Sequence, residues 1–250
     1  MKKFQKPALT FQDQVNLLKS RGLEIVDEPR AARHLSNVSY YRLSAYMIPF
    51  RKRDAAGKIT DDFEDGTMWD DVYNLYRFDR KLRLLIFDAI ERIEIALRTQ
   101  VINQLSLKYG SHWPDDSALF KTQEVFTKMQ ERIEERLKAN SRMEFIKHYH
   151  EKYNHPLTPP SWMTVELLCF GDLSWICKSW REKKDVTAIA RSLGIPQDKI
   201  LHSWLRAINY VRNICAHHAR LWNITFTSVA EPTKANIREG RQGVAYRLRG

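Results

Sequence analysis

Between Phe78 and Leu107 the chain repeats apolar residues at helical spacing around a broad arc, and this run constrains the fold more than any other stretch. Phe78, Leu82, Leu85, Ala89, Ile93 and Ala96 make one apolar face, and Ile86, Ile90, Leu97 and Val101 widen it. A helix with so wide an apolar arc must be packed by several neighbours, so a helix from Trp69 or Phe78 to Leu107 is the expected spine of a bundle.

The remaining segments read as shorter helices. Phe11 to Arg21 is amphipathic and ends at Gly22, Asp27-Glu28-Pro29 opens a helix running toward His34, and a third covers Tyr40 to Phe50. Together they predict a small N-terminal helical unit over residues 1–60. A helix-turn-helix reading of this unit has little support, because no turn glycine sits at a recognisable offset. The turn-rich, acidic stretch 54–66 reads as a surface link, and a bundle is expected over 67–225.

Residues 121–152 alternate basic residues with glutamates and predict an exposed helix. The segment His155–Ser161 stops it, with Ser161 placed to cap a helix over Trp162 to Trp180 that is interrupted at Gly171-Asp172. Short helices at 185–193 and from Gln197 follow, with Asp198 helping to cap the last. The fold class expected is all-α, ending in a basic tail over 226–250.

Composition bounds function without naming it. With 250 residues, 43% hydrophobic and 28% charged, the chain can bury one substantial core, or one core and a small appendage. The net charge of +11 favours a polyanionic partner, unless the protein is simply basic and soluble. No apolar run reaches 18 residues, and the N-terminal Met-Lys-Lys-Phe-Gln-Lys-Pro has no apolar signal core after it, so a cytoplasmic protein without membrane contact is expected. Cys169, Cys177 and Cys215 are odd in number, contain no Cys-x-x-Cys pair and sit among apolar residues. They read as core rather than as disulfides or a zinc site, and neither metal nor cofactor is expected.

The run Arg212-Asn213-Ile214-Cys215-Ala216-His217-His218 carries the candidate chemistry. Any one Arg-to-His spacing arises about 0.7 times by chance in a chain of this composition, and Arg142 with His148 satisfies the looser form with five intervening residues in a charged helix end. Context favours the later pair. Leu201, Trp204, Ile208, Val211, Cys215 and Trp222 form an apolar stripe in which His218 occupies a core position. At roughly 100° per residue, Arg212 and His217 flank that stripe about 140° apart. The face between them carries Arg206, Asn209, Asn213, Ala216 and Arg220.

Asn213 is placed at i−4 to orient His217. His218 reads either as a hydrogen-bonded core histidine or as a second candidate for chemistry. Arg212 and His217 themselves read either as a reactive pair or as a helix-flank ion pair or cap. On the spine, Glu91, Glu94 and Arg98 form a polar stripe with Glu94 and Arg98 spaced for an ion pair. The stripe is either a surface salt-bridge row or the source of a carboxylate, Glu91 or Glu94, that orients Arg212.

The run Arg-Asn-Ile-Cys-Ala-His-His-Ala-Arg-Leu-Trp-Asn over 212–223 resembles the signature of the bacterial abortive-infection AbiD/AbiF family, whose helical domain belongs to the HEPN superfamily. Blocks at 6–15, 37–46 (Asn-Val-Ser-Tyr-Tyr-Arg-Leu-Ser-Ala-Tyr), 78–83 (Phe-Asp-Arg-Lys-Leu-Arg) and 160–174 resemble the family in order and spacing. The resemblance covers about residues 5–225. It departs after Asn223, where relatives usually continue with hydrophobic helical sequence. Here Ser228–Gly250 is polar and basic (Arg238, Arg241, Arg247, Arg249), as a different or truncated end would be; it reads as a disordered tail or an RNA-binding one.

The resemblance implies a HEPN-like bundle and a metal-independent endoribonuclease acting as an antiviral toxin. Arg212, Asn213 and His217 would be catalytic and His218 would fit the form of the motif with five intervening residues; Glu91, Glu94 and Arg98 remain the supporting candidates read from the spine's polar stripe. Arg206, Arg220 and Arg42 are the candidates for RNA binding. The implied partners are RNA, a second copy in a homodimer that brings two motifs together, and a regulatory RNA or antitoxin. The alternative is a noncatalytic HEPN-like protein that binds RNA or a partner through the same residues. A DNA-binding regulator would rest on the N-terminal unit alone.

Overall fold

The computed structural model describes residues 3 and 7–232; the remainder of the N-terminus and most of the expected tail, including Arg238, Arg241, Arg247 and Arg249, lie outside the described residues. The chain is mostly helical, as expected, and its described residues divide into two units, one ending at residue 85 and joined by 218–224, the other covering 86–217 with 225–232. No helix among the described residues is long and apolar enough to cross a membrane.

In the first unit, α1 (Phe11–Ser20) begins at Thr10, whose side chain accepts from the Asp13 N–H. Helix α2 (Glu28–Val38) starts at Asp27, whose carboxylate accepts from the Arg30 N–H at 2.9 Å, with Pro29 in the first turn where a missing N–H does no harm. Ser39 alone separates it from α3 (Tyr40–Met47). A 3₁₀ turn over Ile48–Phe50 leads into β1 (Arg51–Arg53), which pairs antiparallel with β2 (Ile59–Phe63).

This hairpin replaces the expected surface link. Asp54 Oδ1 accepts from the N–H groups of Ala56 and Lys58 at 3.0 and 2.9 Å, and Gly57 adopts a positive φ of 77° that closes the turn. Phe63 then buries its ring beneath the Arg51 guanidinium, 5.3 Å from the ring centroid. Val15, Leu18, Leu35, Leu43, Met47 and Trp69 complete the core of this unit.

Helix α4 (Trp69–Tyr109) is the expected spine and is longer than its apolar run, because no Gly or Pro interrupts it. Its buried side differs from the one expected. Phe78, Leu85 and Ile93 are 52%, 72% and 39% exposed, whereas Ile90, Leu97, Val101 and Leu105 are buried. Ile90, Leu97 and Val101, which merely widened the sequence stripe, are among the residues that pack.

In the second unit α5 (Gln123–Ala139), α7 (Ser161–Thr164), α8 (Phe170–Ser179), α9 (Lys183–Ser192) and α10 (Asp198–Ala216) pack with the second half of α4 around Leu97, Val101, Trp113, Phe170, Leu173 and Trp180, while α6 (Glu144–Lys152) buries Ile146 and Tyr149. Trp113 and Trp180 meet edge to face at 5.3 Å. The charged α5 is not wholly exposed: Met129 and Ile133 are buried, and Arg132 pairs with the buried Asp172.

Two expected caps are realised differently. Ser161 lies inside α7, its N–H donating to Ser111 O at 2.7 Å and its hydroxyl bonded to that of Ser106. Asp198 sits in the first turn of α10 without a capping hydrogen bond, where its charge still favours the helix N-terminus. The break expected at Gly171-Asp172 falls just earlier, at Leu168-Cys169, and Asp172 instead accepts the Cys169 N–H at 3.1 Å to start α8.

Candidate functional site

Helix α10 positions the candidate residues of the second unit. Leu201 and Cys215 of its stripe are buried, while Trp204 and Ile208 border an open apolar cavity of about 490 Å³ with Ile93 and Ala96. Fixing that stripe orients the opposite face, from which Arg206 and Asn213 project into solvent.

The helix ends one residue before His217. The His217 N–H closes the last turn on Asn213 O at 3.0 Å, and its imidazole is exposed. The expected tie between Asn213 and His217 is therefore a main-chain one, and the Asn213 side-chain oxygen faces Arg212 Nη1 at a loose 3.5 Å. Arg212 is half-buried. Its Nε is shielded from solvent and has no hydrogen-bond partner among the described residues. Arg212 and His217 thus lie five residues apart at the end of α10, where a guanidinium can bind a phosphate's oxygens and an exposed imidazole can move a proton.

Neither of the expected supporting carboxylates pairs with Arg212 among the described residues. Glu94 accepts from Arg98 at 2.7 Å, the ion pair its spacing predicts, and Glu91 is exposed. Arg98 is buried and also donates to the carbonyls of Val165 and Glu166 at 2.8 and 2.6 Å. The stripe is thus neither a surface row nor a clamp on Arg212. It ties α4 to the 3₁₀ turn over Val165–Leu167.

The first unit holds the segment that follows the motif. His218 is not a core residue: α10 has already ended, and His218 is exposed with a φ of 54°. Extrapolating the helical stripe beyond Ala216 produced the false core position. Its carbonyl accepts from Arg42, and Arg220 donates to Ala45 O at 2.7 Å, so both of these candidate RNA contacts serve the fold.

Beneath them, Asp79 is fully buried and was not singled out by charge or spacing. Its carboxylate accepts from the N–H groups of Leu221 and Trp222, from Tyr46 Oη and from Arg83. Arg83 also donates to Ala219 O at 3.2 Å. Burial, together with the bond to Asp79, pushes the Tyr46 phenol up to about 12.

Sequence reasoning also missed a basic cavity of about 480 Å³ beside the first half of α10, lined by Trp175, Lys178, Lys199, His202 and Arg206 among others. The spacing of His202, Arg206, Asn209, Asn213 and His217 along one helical face was its only sequence trace.

Comparison with known proteins gives one finding: a family model described as Abi-like protein matches residues 33–223. No curated protein and no solved structure matches the chain significantly.

Proposed function

From the premise that this chain belongs to the Abi-like protein family, which supports an abortive-infection, phage-defence role, we propose that it is a metal-independent endoribonuclease of HEPN type. Arg212, Asn213 and His217 form its site, completed in a homodimer. The observation that carries the reading is that the end of α10 presents an exposed His217 together with an Arg212 whose Nε is unpartnered and whose charge meets no carboxylate among the described residues.

The chemistry needs three things: removal of the 2′-hydroxyl proton as that oxygen attacks phosphorus, stabilisation of the phosphorane's added charge, and a proton for the departing 5′-oxygen. His217 serves as base or acid, a role worth about 10²–10⁴-fold. Arg212 supplies planar paired donors to the equatorial oxygens. Each chain offers one such histidine, so a second copy supplies the other proton carrier. Pairing is supported by apolar residues that α4 leaves exposed in the second unit, including Ile95, which is 56% exposed.

The test is incubation of mixed RNA with purified protein in EDTA. Wild type is expected to leave 2′,3′-cyclic phosphate ends, and Arg212→Ala and His217→Ala to lose this activity. Equal cleavage by all three proteins would remove these residues from the site. Binding without cleavage by wild type would instead favour a noncatalytic RNA-binding protein.

A further inference from the structure

The basic cavity of the second unit draws its three cations from two helices: Lys178 from α8, and Lys199 and Arg206 from α10. All three are exposed, and none forms an ion pair among the described residues. Other cations of this unit are neutralised: Lys108 by Asp185, Arg132 by Asp172 and Arg98 by Glu94. Among the described residues the one carboxylate in the lining is Glu231, held in place by its N–H donating to Ser203 Oγ at 2.9 Å. Like charges converging on an open cavity raise its potential and favour an anion there.

Two further groups shape what that anion can be. His202 lines the cavity, and its Nδ1 is shielded from solvent with no hydrogen-bond partner among the described residues, a buried polar atom left unsatisfied. Burial lowers the His202 pKa below its ordinary value, leaving the ring neutral at pH 7. Trp175 adds an aromatic wall, with the Arg132 guanidinium 5.2 Å from its ring centroid. Cations beside an indole suit a chain of phosphates carrying bases better than a bare inorganic ion.

Position along α10 joins the cavity to the motif. His202, Arg206, Asn209, Asn213 and His217 fall on one helical face, and Arg206 and His217 are about 16 Å apart along the axis at 1.5 Å per residue. A single strand laid along this face would meet both.

We propose that the cavity formed by Lys178, Lys199, His202 and Arg206 is a phosphate-binding subsite that grips single-stranded RNA a few nucleotides from the bond presented to Arg212 and His217. The identity of the ligand rests on the ribonuclease reading.

The experiment measures binding of a fluorescein-labelled 12-nucleotide oligouridylate to full-length His217→Ala protein by anisotropy across a salt series. The comparison is with the same protein carrying Lys178→Gln, Lys199→Gln and Arg206→Gln together. Loss of the three cations should raise Kd at least tenfold. The slope of log K against log salt should become shallower by about 2, at roughly 0.7 per phosphate contact on a single strand. Arg142→Gln, an exposed charge outside the cavity, should change neither quantity, and Glu231→Gln should tighten binding a few-fold. Thermal melts establish that the triple variant is folded, and single variants of the same residues replace it if it is not.

Unchanged affinity and slope in the cavity variants, with RNA still bound, would overturn the subsite while leaving the ribonuclease reading intact. Cavity-dependent binding by a wild-type protein that does not cut RNA would uphold the subsite and reject the catalytic reading. Cavity-dependent binding of uridine monophosphate, measured by calorimetry, by a protein that never binds the oligonucleotide would overturn RNA as the ligand.

Discussion

The carboxylate of Asp79, buried on α4, accepts the main-chain N–H of Trp222 at 2.7 Å, across 143 residues of sequence. The same carboxylate takes the Leu221 N–H, Tyr46 Oη and Arg83, so one acidic side chain satisfies several buried donors. Asp79→Ala would strand Arg83, itself only 7% exposed, without its counter-charge. Loss of one partner from a buried pair costs roughly 3–5 kcal/mol. Chemical denaturation should show a loss of that size, and a loss below about 1 kcal/mol would mean that water replaces the carboxylate.

Tyr46 makes the same network sensitive to alkali. Its phenol is pushed up to about 12 by burial and by donation to Asp79. The folded state therefore keeps a proton that the unfolded chain releases near pH 10. The stabilisation is complete below pH 10 and is lost as pH rises toward 12, roughly 3 kcal/mol in total at 1.4 kcal/mol per unit. Tyr46→Phe should be less stable at neutral pH and should flatten the decline between pH 10 and 12. A parallel decline in both proteins would assign it to other groups.

The contrast between α4 and α10 shows what was legible in the sequence. Helical periodicity located both, since a 3.6-residue repeat depends only on local spacing. It misjudged which side of α4 packs, because Phe78 and Leu85 are as apolar as Leu97 and Val101, and only the neighbours decide. The hairpin was hidden for a different reason: Arg51–Arg53 and Ile59–Phe63 lack a clear apolar alternation, and turn bonds from Asp54 close them. Arg212, Asn213 and His217 could be read from one linear segment. Lys178 joins Lys199 and Arg206 only after α8 meets α10, so no local pattern announced the basic cavity.

His218 supplies a test that separates backbone from side chain. At a φ of 54° a β-carbon is crowded, whereas glycine adopts this conformation freely. His218→Gly should melt higher than His218→Ala by the equivalent of about 1 kcal/mol, less the added entropy of its unfolded chain. If His218→Ala instead lowers stability by several kcal/mol, the imidazole makes contacts that its exposure does not suggest.

The proposed homodimer can be probed on α4 without touching the core. Ile95 is 56% exposed, so Ile95→Lys should leave monomer stability within about 0.5 kcal/mol of wild type. If this side of α4 joins two copies, a buried lysine ammonium at their interface would weaken association by several kcal/mol. Sedimentation velocity should then show a dimer for wild type and a monomer for Ile95→Lys. A wild-type protein that stays monomeric at micromolar concentration would remove the second histidine from the proposed mechanism.

Asp185 provides the acid-side counterpart to Tyr46, in the second unit. Its buried carboxylate accepts from Lys108, from Tyr109 Oη at 2.6 Å and from Trp180 Nε1 at 3.1 Å. Burial by itself would raise its pKa, but these donors outweigh burial and hold it below the usual carboxylate value. A depressed carboxylate contributes stability above the unfolded pKa, near 3.9, and loses it as pH falls through the folded value. Asp185→Asn keeps the shape but removes the charge that strengthens each bond, so it should cost roughly 2–3 kcal/mol at pH 7. Its deficit relative to wild type should shrink below pH 4, as the wild-type carboxyl takes up the proton that neutralises it. A deficit that stays constant from pH 7 to pH 3 would assign the loss to amide packing rather than to the charge on Asp185.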